Sequence, residues 1–472
     1  MRGSVRSVRV VLLVVAVLAA MVGCSKDNPT WPSHDGIAPS AVADLSVESP
    51  TSTSLALTWT ATGDDGATGT ASQYDIRYST RMIGAANWDS AEVVQVVGEP
   101  VPKVAGSREI FVVTGLSAGM TYYFAMKVGN ERSNWSGISN VACGTIVASS
   151  GWFALGPGVD GFVNALTEYN GQLIAGGYFT TAGCINANGI AAWNGSSWSA
   201  LGTGTSDHVV ALTEYNGQLI AGGYFFAIGG VAARFVAAWD GSSWSALAGL
   251  TDEVSALTVY NGALISARWI PVPGGNSSGF GRIAAWDGNS WSGVGVRMNG
   301  AVYSLTVYNG HLIAGGGFTT ADDVAADRIA SYGGSWSALG TGLRGGSVYA
   351  LTVYNGQLIA GGEFSIAGGV AANHIAAWDG SSWSALGTGL NGRVRELTVY
   401  NGHLIAGGDF TAAGRVAANR IAEWDGSSWS PLRSGMDGPV RALTVYNGQL
   451  IAGGEFTSAG GASANHIAGC SY

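Results

Sequence analysis

The sequence is poor in charged residues, which make up 11% of its 472 residues, and its formal net charge is −9. It has no run of lysine or arginine. Because nucleic acids and anionic lipid headgroups are bound mainly through clustered basic side chains, we expect no nucleic acid partner. We expect contact with a membrane only through the N-terminal anchor considered below.

The residue types that build metal and nucleophilic sites are also scarce. The six histidines do not cluster, and no histidine, cysteine or carboxylate spacing fits zinc. No glycine-rich loop opens a helix for phosphate, and no serine nucleophile motif is present. The sequence therefore predicts no metal, no cofactor and no catalytic residue, which argues against an enzyme without excluding one.

Helical periodicity is missing as well, and a long repeat takes its place. The segment Tyr-Asn-Gly-x-Leu-Ile-Ala-Gly-Gly recurs, with variations, at intervals of 45 to 48 residues. Its copies begin at Tyr169, Tyr215, Tyr260, Tyr308, Tyr354, Tyr400 and Tyr446. Self-similarity at this period indicates a repeat architecture, and the lack of a 3.6-residue period argues against a helical solenoid.

Each repeat predicts a four-stranded antiparallel sheet. In residues 348–393, the Asn355-Gly356 turn joins two strands, because both residues tolerate positive φ, and Trp378 and Trp383 belong to the third and fourth strands. Such sheets stacked radially form a β-propeller. Each strand type occurs seven times, if residues 152–155 supply the outer strand that the last unit lacks. The prediction is a seven-bladed β-propeller over residues 147–472, closed by strands from both ends of the chain.

The repeat resembles those of kelch-type propellers. The resemblance lies in the Gly361-Gly362 doublet, in Trp378-Asp379 and in Trp383. It also resembles the Gly-Gly-x-Phe and Trp-Asp-Gly-Ser-Ser-Trp repeats of bacterial cell-surface propellers and of the fungal cortical-marker family. The resemblance covers about 320 residues and implies the fold, but no particular ligand.

The N-terminus is predicted to be a targeting segment. Three arginines precede an apolar run over residues 10–22, which is short for a membrane span and typical of a secretory signal. Residues 21–24 resemble a bacterial lipobox, which implies a signal peptide over residues 1–23, a lipidated Cys24 and a spacer to residue 37. In a Gram-negative host, Ser25 implies the outer membrane. The alternative is a plain signal peptide and secretion.

Residues 38–146 are predicted to form a separate β-sandwich. Strand-like runs alternate along the segment, and Trp59 is placed as a large inward-facing aromatic. Residues 116–122, which end at Tyr122, resemble the tyrosine corner of fibronectin type III modules. That resemblance spans the whole segment and implies a spacer or adhesion unit. The predicted fold class is therefore all-β throughout.

The four cysteines predict a possible clamp on the ring closure. With Cys24 lipidated, three remain in an oxidising compartment. Cys470 takes the place of a tryptophan next to the closing strand, and Cys143 lies nine residues before Trp152. A Cys143–Cys470 disulfide is the hypothesis; the alternative is that all three are buried or idle.

Candidate ligand-binding residues are predicted at the ends of the second and third strands, which should share one face. After the Gly-Gly doublet the units carry Tyr178, Tyr224, Trp269, Gly317, Glu363, Asp409 and Glu455. Before the third strand they carry Gly189, Arg234, Arg282, Arg328, His374, Arg420 and His466. One interpretation is local pairing, of Asp409 with Arg420, Glu363 with His374 and Tyr224 with Arg234. The other is a recognition face with aromatic and acidic sectors.

The function predicted is that of a monomeric, surface-tethered extracytoplasmic binding protein whose ligand is a glycan or a protein. Its repeats are too alike to suggest an asymmetric catalytic site. The alternatives are a secreted carbohydrate-active hydrolase or lyase on a propeller scaffold, and a purely structural envelope protein.

Overall fold

The computed structural model describes residues 36–48, 50–146, 151–271 and 279–471, and within these ranges the chain is all-β. The all-β prediction is confirmed. In the described part of the chain there is no helix with the length and apolarity to cross a membrane. The predicted signal peptide, Cys24, most of the spacer and the loop over residues 272–278 lie outside the described residues.

The first domain is a sandwich of a three-stranded and a four-stranded sheet. Its strands are Ser46–Glu48, Ser54–Thr60, Gln73–Ser79, Val94–Gln95, Arg108–Thr114, Thr121–Gly129 and Ala142–Thr145. Trp59 lies in the core between the sheets with 2% of its surface exposed, edge-on to Tyr74. The Tyr122 hydroxyl accepts a hydrogen bond from the Ser117 N–H at 3.1 Å, which is the contact expected of a tyrosine corner.

The remaining residues form seven four-stranded antiparallel sheets, here called units 1 to 7 in chain order. The first strands are Phe162–Tyr169, Val209–Tyr215, Val254–Tyr260, Val302–Tyr308, Val348–Tyr354, Val394–Tyr400 and Val440–Tyr446. The second strands are Gln172–Tyr178, Gln218–Gly223, Ala263–Pro271, His311–Gly316, Gln357–Gly362, His403–Gly408 and Gln449–Gly454. The third strands are Ile190–Trp193, Val236–Trp239, Gly279–Trp286, Ile329–Tyr332, Ile375–Trp378, Ile421–Trp424 and Ile467–Ser471. The fourth strands are Trp198–Ala200, Trp244–Ala246, Trp291–Gly293, Trp336–Ala338, Trp383–Ala385, Trp429–Pro431 and, for unit 7, Gly151–Ala154.

Between the second and third strands, every unit except unit 3 carries a short hairpin. These hairpins pair Thr181–Ala182 with Ile185–Asn186, Ala227–Ile228 with Val231–Ala232, Thr320–Ala321 with Val324–Ala325, Ile366–Ala367 with Val370–Ala371, Ala412–Ala413 with Val416–Ala417, and Ser458–Ala459 with Ala462–Ser463. A further strand, Leu343–Arg344, joins the hairpin of unit 5. In unit 3 the second and third strands instead pair as far as Pro271 and Gly279.

Local chemistry explains the turns of each unit. At the first turn of unit 5, Asn355 has φ of 48° and Gly356 has φ of 74°, as the type I′ geometry requires. At the second turn, the Asp379 carboxylate accepts the N–H groups of Ser381 and Ser382, each at 2.7 Å. These bonds hold the pKa of that carboxyl well below its usual range.

The Gly-Gly doublets let neighbouring units pack closely. A Cβ atom on Gly407 would lie 2.6 Å from Cγ1 of Val440 and 3.2 Å from Cδ1 of Leu443, both in the next unit. The same approach recurs between units 7 and 1, where a Cβ on Gly453 would lie 2.5 Å from Cγ1 of Val163. Glycine is therefore required where these sheets meet.

The two ends of the repeat region pair with each other. The last third strand pairs antiparallel with Gly151–Ala154, with Cys470 opposite Trp152. The Tyr446 hydroxyl of unit 7 donates to the Gly171 carbonyl at 3.1 Å, which repeats the bond between Tyr169 and Gly217 at 3.2 Å. Unit 7 therefore contacts unit 1 through the same kinds of bond that join consecutive units.

The predicted Cys143–Cys470 disulfide is wrong. Cys143, in the last strand of the sandwich, is bonded to Cys184, in the hairpin loop of unit 1, and Cys470 is a buried free thiol. The prediction failed because distance along the chain to Trp152 was taken as proximity in space. The actual bridge joins the two domains and leaves the closing strand without a covalent clamp.

Candidate ligand-binding site

Each unit has one bulge residue in its first strand, and these residues locate the site. In units 2 to 7 the pairing of the first and second strands skips one residue directly after the opening valine, for example Val210 between Val209 and Ala211. Unit 1 has the same irregularity at Asn164. A bulge leaves its residue outside the ladder and re-aims its side chain.

All seven bulge residues line one cavity of about 770 Å³. They are Asn164, Val210, Ser255, Tyr303, Tyr349, Arg395 and Arg441. The convergence of one residue from every unit places this cavity where the first strands meet. Because the seven bulge residues are of five different types while most of the first strand repeats, the cavity is asymmetric.

Aromatic side chains line one side of this cavity. Tyr224 and Trp269 lie in its wall, together with His208 and the bulge residues Tyr303 and Tyr349. Tyr303 stacks on Tyr349 with ring centroids 5.0 Å apart. The His208 ring lies 6.0 Å from that of Tyr224. Exposed aromatic faces in a concave site suit apolar faces of a ligand.

On the other side the lining residues are Arg395 and Arg441, which carboxylates behind them hold in place. Arg395 donates through Nε to Asp409 at 2.7 Å, and Arg441 donates through Nε to Glu455 at 2.6 Å. Arg393 donates through Nε to Glu363 at 2.6 Å, and its guanidinium lies 4.9 Å from the centroid of the Tyr349 ring.

These pairs fix donors and acceptors in position. Burial opposes the charge on Arg393, but the hydrogen bond to Glu363 and the nearby tyrosine and carboxylates raise the pKa of this guanidinium above its ordinary value. The arginines on this side are therefore held in place by acids and are not free cations.

The predicted acidic residues do not line the cavity themselves but bind arginines at or beside it, and Glu363 and Asp409 have partners other than those predicted. The sequence predicts that Glu363 pairs with His374 and that Asp409 pairs with Arg420. In the structure the His374 ring bonds to the carbonyl of Gly362 at 3.2 Å, and Arg420 donates to the backbone carbonyl of Asp409. Asp409 binds Arg395 in the first strand of its own unit, and Glu363 binds Arg393, which directly precedes the first strand of the next unit.

The predicted arginines Arg234, Arg282 and Arg328 do not line the cavity. Arg234 lies over Phe226 at 5.9 Å, not over Tyr224, and Arg282 lies over Phe280 at 5.4 Å. Arg328 donates to the backbone carbonyls of Gly317 and Phe318, at 3.3 and 3.1 Å. The contacts of these side chains are thus made within their own units.

Tyr178 lies beside the cavity, in contact with one of its lining residues. Its ring lies 4.2 Å from that of His208, which is itself a lining residue, and 57% of its surface is exposed. The three predicted aromatic residues therefore all lie on or beside the aromatic side.

Unit 3 departs from the repeat beside this wall. Arg268 replaces the second glycine of the doublet and is only 9% exposed. Its Nη1 lies 3.7 Å from a carboxylate oxygen of Asp252, while its Nε has no hydrogen-bond partner among the described residues. Burial, followed by the neighbouring Arg282 charge, lowers the pKa of this guanidinium against the opposing effect of Asp252. The strand that carries Arg268 continues through Trp269 to Pro271.

Negative charge gathers on the aromatic side. Burial raises the pKa of Tyr224, and the carboxylates of Glu253 and Asp207 raise it further. Burial also raises the pKa of Glu253, as do the neighbouring Asp207 and Asp252. In the described part of the chain, no group of three or more histidines, cysteines or carboxylates is placed to hold a metal ion.

Sequence reasoning missed the bulge ring and Arg393. The signal was available, since the residue after the valine in Val-x-x-Leu-Thr is the most varied position of an otherwise regular strand. A regular strand would alternate its side chains between two faces, and the side chain of the bulge residue does not follow that alternation.

Comparison with known proteins identifies two modules. Residues 38–141 match the family model of the fibronectin type III domain, and residues 337–469 match that of the Rax2 C-terminal beta propeller domain. The chain contains a fibronectin type III domain. It also contains a β-propeller domain of the Rax2 type. Both are modules of interaction or binding proteins.

More distant similarities cover parts of the chain. The human calcium-activated chloride channel regulator 1 is 30% identical over 122 residues, a match that spans 25% of this chain and 13% of that protein. The sensor domain of the anti-sigma factor RsgI4 from Pseudobacteroides cellulosolvens is 18% identical, with 23% of this chain and 97% of that one covered and a TM-score of 0.16. An acylaminoacyl peptidase from Pyrococcus horikoshii is 10% identical over 86% of this chain and 53% of that chain, with a TM-score of 0.31.

Proposed function

We propose that this chain is a surface-tethered extracytoplasmic binding protein that holds a glycan in the cavity where the seven first strands meet. The observation that carries the proposal is the convergence of seven different bulge residues on one concave, aromatic-lined space. The repeats around it are nearly uniform, so sequence variation among the units is concentrated where a ligand would make contact.

The proposed scaffold is a closed seven-bladed, kelch-like propeller. It is supported by the pairing of Gly151–Ala154 with the last strand and by the bond from Tyr446 to Gly171. Seven wedges around an axis in electron-microscopy class averages would agree with this scaffold. Six or eight wedges would contradict it.

The proposed location is the cell surface, reached through lipid on Cys24, with secretion as the alternative. The Cys143–Cys184 bridge supports an oxidising compartment. Mass spectrometry of the N-terminal peptide from the native host tests the anchor, since a diacylglyceryl group on Cys24 is expected.

A glycan is favoured over a catalysed reaction because the acids predicted at the site from the sequence are already engaged. Glu363, Asp409 and Glu455 each bind an arginine, and Asp322 accepts two backbone N–H groups, at 2.6 and 2.8 Å. A hydrolase needs an acid and a base directed at its substrate. Stacking faces and oriented polar groups suffice for binding.

The test is a glycan array probed with the wild-type protein and with Trp269→Ala and Tyr224→Ala. Both variants should lose the signal of the best glycan at least ten-fold, while Phe226→Ala, an exposed ring outside the cavity, should retain it. Cleavage of a polysaccharide by the purified protein would instead favour the enzyme alternative. Binding that survives both cavity substitutions would contradict the proposed site.

A further inference from the structure

The cavity divides into two sides of different charge. Its aromatic–acidic sector consists of the lining residues Asp207, Tyr224, Trp269 and Tyr303, and of Glu253 beside them, which directly precedes the first strand of its unit as the lining residues His208 and Ala301 do in theirs. Tyr224 and Tyr303 each keep 39% of their surface exposed, and Asp207 lies in the cavity wall. The opposite side carries the arginine–carboxylate pairs described above.

The positive charges of the cavity are neutralised by ion pairs within the protein. Arg395 lies 2.7 Å from Asp409, and Arg441 bonds to Glu455 and, at 3.4 Å, to Asn164. An anionic ligand would have to compete with these carboxylates at close range. The arginine side therefore presents oriented but neutralised pairs.

The negative charges of the aromatic–acidic sector are less well compensated. Asp207 lies 3.3 Å from Nε2 of His208, which is a cation only when protonated, and its side chain is 45% exposed. Asp252 faces Arg268 at 3.7 Å. Glu253 has no ion-pair partner within the described part of the chain.

Aromatic faces beside uncompensated carboxylates are complementary to an organic cation. The face of a tyrosine or tryptophan ring attracts an ammonium group, and a nearby carboxylate adds to the attraction. A protonated amine attached to a pyranose ring would use both features, because the apolar face of the sugar can stack on an aromatic ring.

We propose that the aromatic–acidic sector selects glycans with a free, unacetylated amino sugar. This inference rests on the proposed function of the cavity. The volume of about 770 Å³ suits a short oligosaccharide more than a single lysine side chain, which would fill only a small part of it. The amine lies against Tyr224 and the acids, and the sugar ring packs on the aromatic wall.

The experiment measures calorimetric binding of three trisaccharides of equal length: one of glucosamine, one of N-acetylglucosamine and one of galacturonic acid. The glucosamine trisaccharide should bind at least ten-fold more tightly than the other two. Raising the salt concentration should weaken it alone, because ionic contacts are screened.

The matched variants are Glu253→Gln and Glu92→Gln. Each removes one negative charge, but Glu92 is an exposed residue of the first domain that faces Arg81. Glu253→Gln should weaken the glucosamine trisaccharide three- to ten-fold without changing its thermal melting by more than the control does. Glu92→Gln should leave the affinity unchanged.

Other outcomes separate this inference from the proposed function. Preference for the acetylated or the acidic trisaccharide, abolished by Trp269→Ala, would overturn the inference and keep the glycan site. Equal binding of trilysine would overturn it in favour of a peptide ligand. Failure of all three trisaccharides to bind would also overturn it, and the array would then decide whether any glycan is bound.

Discussion

Glu396 is an acid at a position where the other units have small residues. The equivalent residues are Ala165, Ala211, Ala256, Ser304, Ala350 and Ala442. Glu396 lies opposite Gly407 on the face that meets Val440 and Leu443 of the next unit. Burial raises the pKa of Glu396 to about 7, against the opposing effect of a 3.1 Å hydrogen bond from the Leu397 N–H.

We predict that Glu396→Gln stabilises the protein in a pH-dependent way. A folded-state pKa above the unfolded value means that stability present at low pH is lost as the pH rises to about 7. Because the residue stays partly exposed, we expect the substitution to raise the free energy of unfolding by about 1–2 kcal/mol at pH 8. At pH 4.5 the gain should be close to zero.

Chemical denaturation at the two pH values measures this difference. Glu131→Gln serves as the control, because Glu131 is an exposed acid whose side chain is 61% accessible. A gain of equal size at both pH values would show that the carboxyl is not desolvated in the folded protein.

At the scale of the strand, the seam between the chain ends is less fully bonded than five of the other six outer edges. Trp198 donates through Nε1 to the Leu155 carbonyl at 2.8 Å, and Trp244, Trp291, Trp383 and Trp429 make the same type of bond. The buried Nε1 of Trp152 has no such partner among the described residues. The closing strand is therefore held mainly by its four pairs with the last strand and by apolar burial.

We predict that deletion of residues 148–156 gives aggregated or unfolded protein. Trp152 and Leu155 are 6% and 1% exposed, and burying each of them contributes about 1.5–3 kcal/mol. Removal also exposes the edge of the last strand, which invites pairing with other molecules. Size-exclusion chromatography and thermal melting test this. A monomer with unchanged melting would show that the seam does not hold the fold together.

A second prediction concerns the contact between sheets. Gly407→Ala should lower the free energy of unfolding by about 1–3 kcal/mol, because the added methyl group meets the Val440 side chain in a packed interface. Gly84→Ala is the control, since a Cβ atom there has no neighbour within 4 Å. Equal denaturation midpoints for the two variants would mean that the units can move apart at no cost.

The strands and turns could be predicted because their causes are local. The asparagine and glycine equivalent to Asn355 and Gly356 adopt positive φ at each such turn. The alternation of inward and outward side chains around Trp59 is a property of a single strand. The bulges could not be predicted, since a bulge is a property of the register between two strands. For the same reason Arg393, 30 residues from Glu363, escaped notice. The hairpin partner His374 was nearer in sequence but not in space.

At the scale of the whole molecule, the two domains are consecutive in the chain and are joined in addition by one disulfide and a loosely packed contact. Besides the Cys143–Cys184 bridge, the Thr121 hydroxyl donates to the Gly156 carbonyl at 3.3 Å. Depressions of about 250 and 140 Å³ remain between the domains, lined by residues of both. A contact with such voids contributes little by packing, so the bridge is the main restraint on the orientation of the sandwich.

We therefore predict that Cys143→Ser combined with Cys184→Ser loosens the domain arrangement and leaves each domain folded. The bridge closes a loop between residues 41 apart, and a loop of that size restricts the unfolded chain by about 3–4 kcal/mol. Small-angle scattering should give a larger radius of gyration and a broader distance distribution for the double variant. Cys470→Ser, which alters a buried thiol outside the bridge, should scatter like the wild type. Superimposable curves for all three proteins would mean that the bridge is not needed to fix the sandwich against unit 1.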